Sequence, residues 1–175
     1  MNGKTVNMRK ILLVFLTVLT AFLPTGCGIY SFTGASIPPE AKSFSVQQFP
    51  NNALLVEPLL SDQFSNALRN RFMSQTNLRM VPVNGDLEFE GEIVEYVTSP
   101  TAIQADQTAA LNRLTITVNV RFSNKYDESK NFESKFSHYV DYPSNQDLNS
   151  IKDGLMTEII DVLVDNIFNK AVVNW

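Results

Sequence analysis

The chain has 175 residues, with 14 basic and 18 acidic side chains, one histidine, one cysteine and a formal net charge of −4. That balance gives no electrostatic basis for wrapping nucleic acid or for clinging unaided to anionic lipid. A single histidine and a single cysteine cannot furnish a zinc site of the usual ligand count, and one thiol makes no intrachain disulfide, so the fold must rest on packing.

The opening stretch, MNGKTVNMRK, carries Lys4, Arg9 and Lys10 without an acid, and the apolar run ILLVFLTVLTAFL follows it. A basic segment, an apolar segment of about 13 residues and a small residue at Gly26 together read as a secretory signal peptide over residues 1–26. The run is shorter than the roughly 20 apolar residues of a membrane span. Cys27 comes next, and three readings compete for it: a packed thiol, a reactive nucleophile, or the point where a mature chain begins. The arrangement resembles a bacterial lipobox, in which the sulfur is acylated, the preceding bond is cut and the new amine is acylated. Pro24 stands where the usual pattern has Leu. Lipidation of Cys27 is the expectation, because two or more acyl chains on one residue anchor stably where one would be marginal. Loss of the leader leaves 11 basic against 18 acidic residues on about 149, one domain with a net charge of −7.

Residues 27–41 are rich in Gly, Ser and Pro and read as anchor and tether, and residues 42–175 as a single globular domain. In KSFSVQQF, Phe44, Val46 and Phe49 mark a first strand, stopped by Pro50, Asn51 and Asn52. From Pro58 to Gln75, Leu60, Phe64, Ala67, Leu68 and Phe72 recur at helical spacing, with Pro58 placed in the first turn. Two strand signals, LRMVPV and DLEFEGEIVEYV, flank the turn-forming Asn84-Gly85. The second alternates Leu87, Phe89 and Ile93 against Glu88, Glu90 and Glu92, then slips phase at Val94 and Tyr96, which places a bulge near Gly91.

RLTITVNVRF is the clearest strand, with Leu114, Ile116, Val118, Val120 and Phe122 on one face and Arg113, Thr115, Thr117, Asn119 and Arg121 on the other. After the polar turn NKYDESKN, FESKFSHYVDY returns with Phe132, Phe136 and Val140 inward. A last helix spans roughly Leu148 to Val172, where Ile151, Leu155, Ile159, Leu163 and Ile167 form one line and Met156, Ile160, Val164 and Phe168 a second. Two adjacent lines make a stripe broad enough to lie across a sheet. The order β-α-β-β-β-α predicts an α/β (α+β) two-layer sandwich: two helices on one face of a mostly antiparallel four-stranded sheet.

Chemistry-bearing groups are sparse. His138 shares the inward phase of Phe136 and Val140, so it reads as a hydrogen-bonded histidine at the core margin rather than a catalytic base, and Asp141 points to the opposite face. Glu88, Glu90 and Glu92 read as the solvated face of an amphipathic strand opposite Arg113 and Arg121. A calcium loop needs irregular backbone and an oxygen-rich turn. No phosphate loop or nucleophile elbow is found, so neither enzyme activity nor a cofactor or catalytic metal is expected. The segment TSPTAIQADQTAALN is longer than a hairpin needs and low in charge. Small side chains such as Ala102 allow close backbone approach, and Ile103, Gln104 and Gln107 make this a candidate contact loop, with a plain solvated loop as the equal alternative.

The stretch CGIYSFTGASIP, Cys27 to Pro38, resembles the opening of the lipopolysaccharide-assembly lipoprotein family LptE: Cys27-Gly28, the aromatics Tyr30 and Phe32, Gly34, then Ile37-Pro38. The element order and the blocks LNRLTITVNVRF and FNKAVVNW resemble the same family. The resemblance implies a binding protein that plugs the large outer-membrane β-barrel LptD, helps it assemble and aids delivery of lipopolysaccharide to the cell surface. It implies an outer-membrane location on the periplasmic side, with LptD as partner and lipopolysaccharide as a candidate ligand. The basic residues that members of the family use toward lipopolysaccharide have no matching motif here, so none is carried over. A periplasm-facing activator of a cell-wall synthase and an anchored hydrolase are the readings from other classes. The activator needs a long tether, and the hydrolase needs titratable groups found only around His138.

Overall fold

The computed structural model describes residues 37–101 and 110–173. In chain order they form β1 (Ser43–Val46), α1 (Leu60–Gln75), β2 (Arg79–Met80), β3 (Leu87–Pro100), β4 (Leu111–Asn124), β5 (Phe132–Pro143) and α2 (Leu148–Val172). One sheet holds all the strands in the order β2-β1-β3-β4-β5. β1 is parallel to both neighbours, and β3, β4 and β5 run antiparallel. The sheet therefore has five strands where four were expected. The extra one is the two-residue edge β2, all that survives of LRMVPV. Val81 N still donates to Phe44 O at 2.9 Å, but Pro82 has no N–H to continue the ladder.

Alternation builds the core on one face of the sheet. Leu114, Ile116, Val118, Val120 and Phe122 of β4 are buried, as are Leu87, Phe89 and Ile93 of β3 and Phe44 and Val46 of β1. α1 covers them with Leu60, Phe64, Leu68 and Phe72, and α2 with Met156, Ile159, Ile160, Leu163, Val164, Ile167 and Phe168. The layers meet at Phe72, whose ring centroid lies 5.4 Å from Phe44, 4.6 Å from Phe89 and 5.0 Å from Phe168. Aromatic rings at these separations add to what their buried area alone contributes. α2 has the limits its two apolar lines foretold.

Three local expectations are corrected. Pro58 lies ahead of α1 rather than inside it: Leu60 N bonds to Glu57 O at 3.3 Å, which makes Pro58 the second residue of a turn, the other position a fixed φ suits. The bulge falls at Val94, between the paired residues Ile93 and Glu95, and not at Gly91, which keeps its place opposite Val120. One extra residue there lets both Ile93 and Tyr96 face the core while Glu92 and Glu95 face out. Gly91 serves a different purpose. A Cβ on it would run into the backbone oxygen of Asn119 and come within 2.6 Å of the Phe49 ring. The β3–β4 ladder also runs further than expected, to Pro100 opposite Asn112, with Thr101 N donating to Leu111 O at 2.9 Å. Residues 102–109, including Ala102, Ile103, Gln104 and Gln107, lie outside the described residues, as does Cys27.

The β4–β5 turn closes through Asn124, whose Oδ1 accepts from Tyr126 N at 3.0 Å and Asp127 N at 3.1 Å. At the start of β1, Asp86 Oδ2 accepts from Lys42 N, Ser43 N and Ser43 Oγ at 3.0, 3.1 and 2.8 Å. These bonds hold the Asp86 carboxyl below its ordinary range, the Lys42 backbone N–H being the largest cause.

Candidate partner-binding face

The helices leave the other face of the sheet open, and the strand registers arrange its side chains in rows. From one end to the other these are Ser99–Arg113–Asp141, Val97–Thr115–Tyr139, Glu95–Thr117–Ser137, Glu92–Asn119–Lys135 and Glu90–Arg121–Glu133, with Glu88 opposite Ser123 beyond them. Most rows are knitted across strands. Arg113 grips Asp141 through two bonds of 2.7 and 2.9 Å, and its guanidinium lies 3.5 Å from the centre of the Tyr139 ring. The bond to Asp141 raises the Arg113 pKa, and the same bond lowers that of Asp141. Thr117 Oγ1 donates to Glu95 at 2.7 Å and lies 2.8 Å from Ser137 Oγ. Glu133 accepts from Asn119 Nδ2 at 3.1 Å and pairs with Arg121 at 3.4 Å, and these two, Asn119 first, lower its pKa.

The three glutamates of β3 do not converge. Glu90 meets Arg121 at 3.4 Å and accepts from Gln47, whereas Glu92 accepts from Asn52 at 2.6 Å. Arg113, expected opposite this acid run, sits at the far end and binds Asp141 instead. Among the described residues no three His, Cys, Asp or Glu side chains group as metal ligands. His138 pairs with Ile116 on the helix side of β5, so the hydroxyls of Thr117 and Ser137, on the opposite face, have no imidazole to activate them. The face carries Glu88, Glu90, Glu92, Glu95, Glu133 and Asp141 against Arg113, Arg121 and Lys135, a surface of paired polar groups with an acidic surplus. It is suited to many weak contacts and ill suited to capturing phosphate.

Sequence reasoning missed an apolar loop at the end of the sheet toward which β3 runs. Leu54, Leu55 and Val56, between a buried Ala53 and a buried Glu57, are more than half exposed, as is Leu59 beyond them. The loop is pinned by Asn52 N to Ile93 O at 2.9 Å and by Glu57 to Lys152 of α2 at 2.7 Å. The bond to Glu57 raises the Lys152 pKa, while burial, more than the nearby Glu57, raises that of the Tyr96 phenol. The apolar stretch ALLVEPLL was the signal available, since it lacks both helical and strand periodicity.

Compared with models of protein families, residues 41–171 match the one described as LptE: Lipopolysaccharide-assembly. The chain belongs to the LptE family. Membership assigns it a role in lipopolysaccharide assembly, in a family of lipoproteins associated with the outer membrane. The match spans the globular residues rather than the Cys27–Pro38 motif that first carried the resemblance. No curated protein sequence matches the chain. Among solved structures, a minor lipoprotein from Acinetobacter baumannii is 14% identical, covers 74% of this chain and 91% of its own, and has a TM-score of 0.49. A neuraminyllactose-binding hemagglutinin homolog from Helicobacter pylori is 8% identical, covers 78% of this chain and 88% of its own, and has a TM-score of 0.50. At that identity the likeness to the second structure concerns the fold alone. No helix among the described residues is long and apolar enough to cross a membrane.

Proposed function

We propose that this LptE-family chain acts by binding, as a lipid-anchored plug of an LptD-type outer-membrane β-barrel that assists barrel assembly and lipopolysaccharide delivery. In this reading residues 1–26 are removed, Cys27 bears the lipid, residues 27–41 tether it, and the domain from residue 42 onward works on the periplasmic side. The observation that supports it best is the open face of the sheet, whose polar side chains are mostly hydrogen-bonded or ion-paired across strands. A barrel lumen is polar, and a surface of hydrogen-bonding groups can exchange bonds with such a wall. Ala102, Ile103, Gln104 and Gln107, in the connection between β3 and β4, are the proposed insertion contacts.

The deciding experiment is co-purification of the tagged full-length chain from detergent-solubilised outer membranes, with photo-crosslinkers at Ile103 and Gln107. A very large β-barrel captured at those positions is the expected result. Capture of a penicillin-binding synthase would overturn the plug in favour of the activator. The anchor is tested separately: Cys27→Ala should abolish lipid labelling, and a soluble, normally cleaved wild-type form would refute it.

A further inference from the structure

The two edges of the sheet are unlike. One is β2, two residues long and followed by Pro82. The other is β5, 12 residues whose register with β4 runs without a bulge, and its only proline is the terminal Pro143. Among the described residues nothing pairs with its outer side. Edges of this length are normally shortened, bulged or covered, because their free N–H and C=O groups template further pairing.

Parity decides which groups are free. Ser144 N donates to Ala110 O at 3.0 Å, so even-numbered residues on this part of the chain exchange bonds with β4. Glu133, Lys135, Ser137, Tyr139 and Asp141 therefore turn their N–H and C=O groups outward. A second observation lies on the helix side of the same edge. Phe136 and Val140, with Ile151 and Leu155 of α2, form a half-buried apolar seam at the open margin of the core. A further strand would close that seam while satisfying the edge.

We infer that the free edge of β5 pairs with the same edge of a second copy of this chain, antiparallel and centred on His138. Charge selects both the occupant and the register. With His138 on the two-fold axis, Lys135 faces Asp141 of the second copy, and the symmetry repeats the pair. Ser137 faces Tyr139, and on the helix side Phe136 faces Val140. Centring on Lys135 would set lysine against lysine, and centring on Ser137 would set Glu133 against Asp141. Lys135 is exposed and has no ion-pair partner among the described residues, so this register supplies the one it lacks. The result is a continuous sheet with the seams of both copies facing each other across the axis, a self-complementary interface of the commonest symmetry. The pairing concerns the chain outside a barrel, where this edge is not enclosed, so it does not depend on the plug reading and either can fail alone.

The test uses the full-length chain purified in detergent. On the axis, two copies of residue 138 form a non-hydrogen-bonded pair, in which side chains lie closest. Under oxidation with copper phenanthroline, His138→Cys should give a disulfide-linked dimer. Ser134→Cys, placed opposite Tyr142 of the second copy, should not, and neither should the wild type, whose only cysteine is Cys27. Lys135→Pro removes an outward N–H that bonds nothing within the sheet, a place where proline is tolerated. It should weaken dimerisation at least about tenfold in analytical ultracentrifugation while circular dichroism shows an unchanged fold, and Lys135→Glu should weaken it with all backbone groups intact. A wild-type chain that stays monomeric at the highest concentration reached overturns the proposal. So does a dimer indifferent to both Lys135 variants, or crosslinking from residue 138 only to a different protein.

Discussion

Phe72→Ala puts the packing of the sandwich to its hardest test, because one ring touches every layer. It is fully buried, on α1, and meets Phe44 of β1, Phe89 of β3 and Phe168 of α2. Truncating a buried phenylalanine costs about 3–5 kcal/mol, the spread depending on how far the surroundings collapse into the space. Here the cavity is walled by two strands already paired in a sheet and by a second helix, so little collapse is available and the loss should lie near the top, about 4–5 kcal/mol. Against a total stability of about 5–15 kcal/mol, the variant keeps a measurable but much diminished folded population. For a domain of this size the thermal midpoint should fall by roughly 10–20 °C. Phe72→Leu, which refills most of the space, should cost about 1–2 kcal/mol. Urea titration followed by circular dichroism reads both, with the slope unchanged if the transition remains two-state. A loss below about 1 kcal/mol for the alanine variant would mean that α1 does not sit on the sheet as described.

Three further perturbations probe other parts of the fold. Val118→Asp places a carboxylate between Ile93 and Phe136 on the buried face of β4, and should cost about 4 kcal/mol or more; a wild-type thermal midpoint would invert the assignment of the two faces. Gly91→Ala drives a methyl group into the backbone of β4 at Asn119, so it should lower the unfolding free energy read by urea titration by about 1–3 kcal/mol, whereas Gly154→Ala, with open space around it, should not. Asp86 has its pKa lowered by folding, so its ionised form stabilises the protein above the ordinary carboxylate value, and that contribution is lost as pH falls through the lowered one. Asp86→Asn should therefore destabilise at pH 7, with the gap closing below about pH 4; an equal gap at pH 7 and in strong acid would refute the role given to its charge.

Strict alternation made β4 legible from its sequence, since a period of two assigns Leu114 through Phe122 to one face without reference to any neighbour. The long α2 was equally plain, because two lines of apolar residues at helical spacing admit no other periodicity. What escaped reading depended on partners. The phase slip of β3 was visible, but glycine attracted it to residue 91, when the extra residue is Val94 and the glycine answers to the Phe49 ring beside it. β2 had the composition of a strand and lost most of its length to Pro82. The pairing of Arg113 with Asp141 follows from a register between strands that no single segment encodes. The contact loop was chosen for its length and small side chains, whereas the exposed Leu54–Leu59 loop, lacking any period, passed unnoticed.

The three bonds from Asp86 to the first residues of β1 acquire a mechanical meaning when the chain upstream of Ile37 is pulled. β1 lies between β2 and β3 and runs parallel to both, and a pull directed along the sheet, away from the far end of β1, acts along the strand. The strand can leave only by sliding, which strains the rungs to its neighbours together instead of parting them one at a time. The bonds at Lys42 and Ser43 stand where the load enters and must fail first. Under force it is the rate of unfolding that governs survival. A molecule held at one end and gripped by a partner at the other is thus loaded in shear, the direction in which a short strand holds longest.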